Sequence, residues 1–253
     1  MRGFVRGMAG LMSLCVGSYV FAQGKAAPAR RGATTVSVPF VGCKSDGQLG
    51  PVDAPKGSRV PVQLEAKEAK ELAYYSGVGL GVLGPRGWDC FGNIGSSGYS
   101  LLISPQPIDT TNVFSIGFVG PGIELSLTEG QSSGRLKVAE VIARVFPDYT
   151  GFVRRVSELF PGNSFPVGPY AKDKLTYRGR TVVEYQTPAQ TDGLGMHSVL
   201  RRNSSPIEGV AILLGNSPDL FLLSVRLSDE QAGLTSAIIG QVEADADAAH
   251  FPH

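Results

Sequence analysis

Apolar side chains recur along this chain in two rhythms, every second residue in some segments and every third or fourth in others. Residues 220–227 are strongly apolar, with one wholly apolar face. Phe221, Leu223, Val225 and Leu227 fall on one side, with Ser224 and Arg226 on the other, the signature of a strand. Residues 209–214 are apolar throughout, and Gly215-Asn216-Ser217-Pro218 links the two runs, which predicts a pair of central antiparallel strands. Just upstream, residues 173–178 and 180–187 flank Gly179 as a hairpin. Val183 and Tyr185 share one face and Glu184 and Gln186 the other. Shorter runs at 36–40, 79–83, 99–104, 122–127 and 196–201 read as further strands.

The helical rhythm is clearest where Val138, Val141, Ile142, Val145 and Phe146 form a stripe, which Pro147 ends or kinks. The stripe resumes at Tyr149, Phe152, Val153 and Val156, giving a second short helix to about Leu159. Residues 65–75 (EAKEAKELAYY) are strong helix formers with charges spaced for pairing on one face, and Gly77 supplies a stop. Ser228 with Gln231 resembles a capping box opening a last helix through about Val242. Between residues 42 and 61, glycine and proline recur too often for either rhythm, and an ordered loop is expected. No internal repeat emerges.

The first 22 residues stand apart. Arg2 and Arg6 precede a mostly apolar stretch from Met8 to Val20, and Val20-Phe21-Ala22 offers small residues before a cut, the three-part pattern of a secretory signal peptide. Residues 23–35 are small, basic and without period, and read as a flexible leader. Loss of Arg2 and Arg6 turns the formal charge of +1 into −1, with no basic patch, so nucleic acid is not an expected partner. No later segment approaches membrane-spanning length. The organisation expected is a signal peptide over 1–22, the leader, a loop-rich extension with one helix over 36–78, an α+β domain over 79–247 and a frayed tail over 248–253.

Of three cysteines, Cys15 leaves with the signal, and Cys43 and Cys90 are expected to form a disulfide in an oxidising compartment. Closing a ring of that size stabilises by about 4 kcal/mol in the chain-entropy picture. The bond gathers Asp46, Gln48, Arg86, Trp88 and Asp89, with tryptophan as a stacking surface edged by polar groups, into a candidate binding neighbourhood.

Catalytic and metal motifs are sparse. GLGVLG at 79–84 spells the dinucleotide fingerprint, but Pro85 and Gly87 forbid the helix that would receive a pyrophosphate, and no cofactor is expected. The histidines are His197, His250 and His253, too few with oxidised cysteines for a zinc site. A serine hydrolase would have to use His197 with Ser198 and Asp192, and a carboxylate-pair enzyme would draw on Asp46, Asp89, Glu124 or Glu184.

The order of elements, with Pro85-Arg86-Gly87-Trp88 directly after a strand, resembles the α/β/α sandwich of PsbP-type proteins over residues 79–242. That resemblance implies an antiparallel sheet sandwiched by helices and a non-enzymatic binding or assembly role. The motifs Gly42-Cys43 with Ser45-Asp46-Gly47-Gln48, Trp88-Asp89-Cys90-Phe91-Gly92 and Tyr185-Gln186-Thr187-Pro188 are also similar to a group of uncharacterised exported bacterial proteins. The expected function is an exported, non-catalytic module of the cell envelope or secreted fraction with an envelope or extracellular partner, and the alternative is a small secreted hydrolase.

Overall fold

The computed structural model describes residues 32–248. The signal segment, most of the leader, and the tail beyond 248 lie outside the described residues. The fold is α+β. Strands β1 (Thr34–Gly42), β3 (Arg59–Leu64), β4 (Leu72–Gly77) and β5 (Leu80–Pro85) form a four-stranded sheet in the order β3-β1-β4-β5. A larger sheet comprises β2 (Ser45–Gly47), β6 (Asp89–Gly95), β7 (Gly98–Ser104), β8 (Gly122–Thr128), β9 (Lys174–Tyr177), β10 (Val182–Thr187), β11 (Ile207–Leu214) and β12 (Asp219–Arg226). Its order is β2-β6-β7-β8-β12-β11-β10-β9. All neighbours are antiparallel except the β1–β4 and β2–β6 pairs, which are parallel.

Five helices accompany the sheets among the described residues: α1 (Glu68–Glu71), α2 (Val113–Ile116), α3 (Arg135–Val145), α4 (Thr150–Leu159) and α5 (Thr235–Ala248). The two faces of the large sheet are buried differently. Leu101, Ile103, Ile123, Leu125, Val210, Ile212, Leu223 and Val225 pack with α5 and with the small sheet through Val38, Leu64, Tyr75 and Leu83. On the opposite face Val183, Tyr185, Ala211, Leu213, Leu220 and Leu222 pack against Val138, Val141, Ile142 and Val145 of α3 and Phe152 and Val156 of α4. Helices thus cover one face, while a second sheet and α5 cover the other.

Several strands and helices stand where the hydrophobic rhythm puts them, and other segments differ. The helix expected over 65–75 shrinks to α1, and Leu72-Ala73-Tyr74-Tyr75-Ser76-Gly77 becomes β4. Leu72, Ala73 and Tyr75 are buried there, and pairing with β1 and β5 outweighs the helix preference of the preceding charged residues. The loop expected over 42–61 contains β2 and runs into β3, so the segment 36–78 carries much of the small sheet. Residues 196–201 form no strand. Leu194–His197 is a turn of 3-10 helix, followed by one isolated bridge between Phe118 and Leu200. β1 begins at Thr34, within the stretch read as leader.

Cys43, which follows β1, is disulfide-bonded to Cys90 of β6 across a Cα–Cα distance of 5.4 Å. The bond ties the small sheet to the large one. No helix of the described residues is long and apolar enough to cross a membrane.

Candidate functional site

The helix-bearing face of the large sheet is only partly covered. α3 and α4 lie over the β8–β12–β11–β10 side, whereas a small cluster of Phe91, Leu102, Val113 and Val199 lies towards β6 and α2. Between the two apolar clusters the strands present polar side chains. The ladder places Asn93 opposite Ser100 and Ser100 opposite Ser126, and the next row places Leu102 opposite Glu124 and Glu124 opposite Ser224. A cleft of about 300 Å³ opens over this floor, with Lys137 of α3, His197, Ser198, Val199, Arg201 and Phe114 around it.

The floor is polar and nearly dry: Ser100, Glu124, Ser126 and Thr128 are each 6% exposed. Glu124 accepts a 2.6 Å hydrogen bond at Oε2 from the Val199 N–H, and its other oxygen has no hydrogen bond among the described residues. Burial pushes this carboxyl above its usual range. The Lys137 ammonium is the strongest influence pulling it back, followed by the Val199 N–H and Arg201. Lys137 makes no ion pair with Glu124 or with any other described carboxylate.

The walls are fixed by interactions that run away from the cleft. Arg226 of β12 is 2% exposed and donates to the carbonyls of Gly120 (3.0 Å), Arg201 (2.5 Å) and Phe118 (2.7 Å). Arg201 in turn donates to the carbonyls of Phe114, Ser115 and Ile116, anchoring α2 at the rim. Asp173 accepts from Thr187 Oγ1 (2.8 Å) and the Leu194 N–H (2.7 Å), holding the turn that carries His197. Burial raises the Asp173 carboxyl, and these two donors offset the rise in part. At the far edge of the floor Gly98 has φ +134°, and a Cβ there would meet Leu127 O at 1.9 Å, so only glycine closes the β6–β7 hairpin against β8.

His197 is held on both sides of its ring. Nε2 and the Tyr170 hydroxyl are 2.8 Å apart, and Nδ1 stands 3.9 Å from Glu140 Oε2. Burial lowers its proton affinity, Lys137 and Arg144 lower it further, and Glu140 and Asp173 oppose them, the net direction being towards the neutral imidazole. The Arg144 guanidinium lies 4.3 Å from the centre of the Tyr170 ring. Lys137, Glu140 and Arg144, at helical spacing, make a polar edge of α3 beside its apolar stripe.

The other residues singled out by the sequence occupy separate places. Ser198 Oγ donates to Gly195 O at 2.7 Å rather than to the imidazole, and exposed Asp192 pairs with Arg202. Asp46, exposed on β2, accepts from the Gly47 N–H at 2.7 Å, and Gln48 is exposed beyond it. Arg86 donates to the carbonyls of Leu72 (3.1 Å) and Ala69 (2.6 Å), and Asp89 accepts from the Ile108 N–H (2.8 Å). Trp88 packs half-buried against the core and its backbone N–H donates to the Tyr75 hydroxyl at 3.1 Å. No hydrogen bond or ion pair joins any two of these five residues, and none lines the cleft. Glu124 and Glu184 lie on opposite faces of the sheet, because Glu124 shares its row with Ser224, Gly209 and Tyr185, the neighbour of Glu184.

Of the cleft residues, the sequence pointed to Glu124, His197 and Ser198 and passed over Ser100, Ser126 and Lys137. The signal for Ser126 was present in Glu124-Leu125-Ser126-Leu127-Thr128, whose polar alternation reads equally as a solvated strand face. Among the described residues no group of three or more histidine, cysteine or acidic side chains is placed to hold a metal ion. Compared with protein-family models, with curated proteins and with solved structures, the chain matches none.

Proposed function

We propose that this chain is an exported binding module that holds a small polar ligand in the cleft over β6, β7 and β8 and performs no reaction on it. One observation carries the reading: Glu124 lies buried on the cleft floor with one carboxyl oxygen bonded to the Val199 N–H and the other unpartnered. Burying a carboxyl without a full set of partners costs free energy, whereas an apolar side chain of equal size would stabilise the same position, and here Ser100 and Ser126 add further polar burial beside it. A ligand that supplies the missing partner offsets that cost. Clefts of this kind, with a few convergent polar groups at the base, are the usual form of small-molecule sites.

The hydrolase alternative has less support. His197 Nε2 is engaged by Tyr170, and the adjacent Ser198 hydroxyl is committed to a backbone carbonyl, so neither forms a nucleophile–base pair. The polar groups of Arg86 and Asp89 likewise have backbone partners, which favours the cleft over the neighbourhood of Trp88 as the binding site. Export is supported by the Arg2/Arg6 start with its apolar stretch and by the Cys43–Cys90 bond. The resemblance to PsbP-type proteins, carried by element order and Pro85-Arg86-Gly87-Trp88, agrees with a binding role.

Amide-resolved NMR of the disulfide-bonded protein, titrated with L-leucine and with N-acetylglucosamine, tests the reading. Saturable shifts at Ser100, Ser126 and Val199 are expected with at least one probe, and no shift with either overturns it. p-Nitrophenyl acetate should turn over no faster than in buffer. Saturable hydrolysis that disappears in His197→Ala would replace the binding module with the hydrolase.

A further inference from the structure

Resting on that reading of the cleft, we infer that its ligand is a zwitterion of amino-acid size, with its ammonium group against Glu124 and its carboxylate against Lys137. Both side chains line the same cleft, they carry opposite charges when ionised, and they do not pair with each other. Each therefore retains its capacity for an external partner. Among the described residues, Glu124 has a carboxyl oxygen without a protein partner on a floor that is 6% exposed, where a cation gains more than in open water, and Lys137 stands half-buried at the first turn of α3.

The charges of the cleft select against simpler ligands. An anion bound at Lys137 would lie close to the Glu124 carboxylate, and a cation bound at Glu124 would meet the Lys137 ammonium. A molecule carrying both charges at a short separation satisfies the two groups at once, whereas a neutral polyol leaves both unanswered. Ser100 presents a hydroxyl that donates or accepts, and Ser126, whose Oγ donates to Leu222 O at 3.4 Å, retains its accepting capacity for the ammonium end of such a ligand. Size points the same way, since about 300 Å³ is at the lower limit of known ligand sites and suits an amino acid or a dipeptide. Phe114, 46% exposed at the rim, offers apolar contact and favours an apolar side chain on the ligand.

Calorimetry and amide-resolved NMR on the disulfide-bonded protein compare four probes: L-leucine, N-acetyl-L-leucine, L-leucinamide and glucose. Leucine should saturate with shifts at Ser100, Ser126 and Val199, and the two derivatives, each lacking one charge, should bind at least tenfold more weakly. Glu124→Gln and Lys137→Met should each weaken leucine binding at least tenfold. Amide spectra away from the cleft should stay unchanged, which separates lost binding from lost folding. Equal binding of leucine and either derivative, or binding of glucose alone, overturns the zwitterion and leaves the binding module standing. Silence from all four probes overturns the zwitterion, and silence from N-acetylglucosamine as well overturns the binding module.

Discussion

Arg226 shows how much one residue can organise. Its guanidinium is 2% exposed and is satisfied entirely by three carbonyl groups from two segments distant in sequence, and burial lowers its proton affinity without a carboxylate to restore it. The side chain thereby clamps residues 118–120 and Arg201, which lines the cleft, onto the central strand. Arg226→Ala should destabilise the protein by about 3 kcal/mol, from lost charge-assisted bonds and stranded carbonyls, measured as a lower urea midpoint. Glu243 of α5 makes a second argument at this scale. Burial, reinforced by Glu184 and Asp247 and opposed by Arg178, pushes its carboxyl up to about 7. Its Oε1 is buried without a hydrogen-bond partner. A carboxyl whose proton affinity is raised by folding binds more protons in the native than in the unfolded chain. Its contribution is therefore full at acid pH and is lost as pH rises from the ordinary carboxylate range towards 7. The melting temperature should fall over that interval, and Glu243→Gln should flatten the fall; an unchanged slope would remove Glu243 as its source.

At the scale of elements, the same rhythm that marks a core also hides a site. On α3 the apolar stripe was legible, and it packs as its spacing requires, while the adjacent polar edge of Lys137, Glu140 and Arg144 reads in sequence as a solvated face. Only the placement of the 194–198 turn and of Tyr170 against that edge turns it into part of a site. Ile142→Ala, at a position 1% exposed, should cost about 2–5 kcal/mol by the usual measure of deleted core volume. Because the helix also positions Lys137, the variant should weaken leucine binding in the same titration. β4 teaches the complementary lesson. Its leading residues favour helix, yet Leu72 and Tyr75 are fully buried in a sheet, since the non-local partners β1 and β5 reward the extended form.

For the molecule as a whole, the Cys43–Cys90 bond is the one covalent cross-link, beyond the backbone, between the two sheets among the described residues. Both cysteines lie where the chain passes from the small sheet to the large one, and their link was expected from the number of cysteines and the apparent export of the chain. Replacing both with serine should destabilise the fold by about 2–5 kcal/mol, measured by denaturation. Mass spectrometry of the intact, unreduced protein should show the linked pair, and two free thiols would contradict it.

Local information in the sequence settled the α+β class, the strands around Gly179 and Gly215, and the helix pair about Pro147, because these depend on periodicity and turn chemistry within a few residues. The pairing of Cys43 with Cys90 was also legible there, given the signal peptide that the sequence predicts over residues 1–22. Tertiary structure alone decided that a second sheet covers one face of the large sheet and that α3 and α4 stop short of β6 and β7 on the other. That uncovered stretch of strand face is what makes Ser100, Glu124 and Ser126 a floor and brings Lys137 over it. Residues so far apart in sequence meet through strand register and helix placement, and neither is encoded in any single segment of the chain.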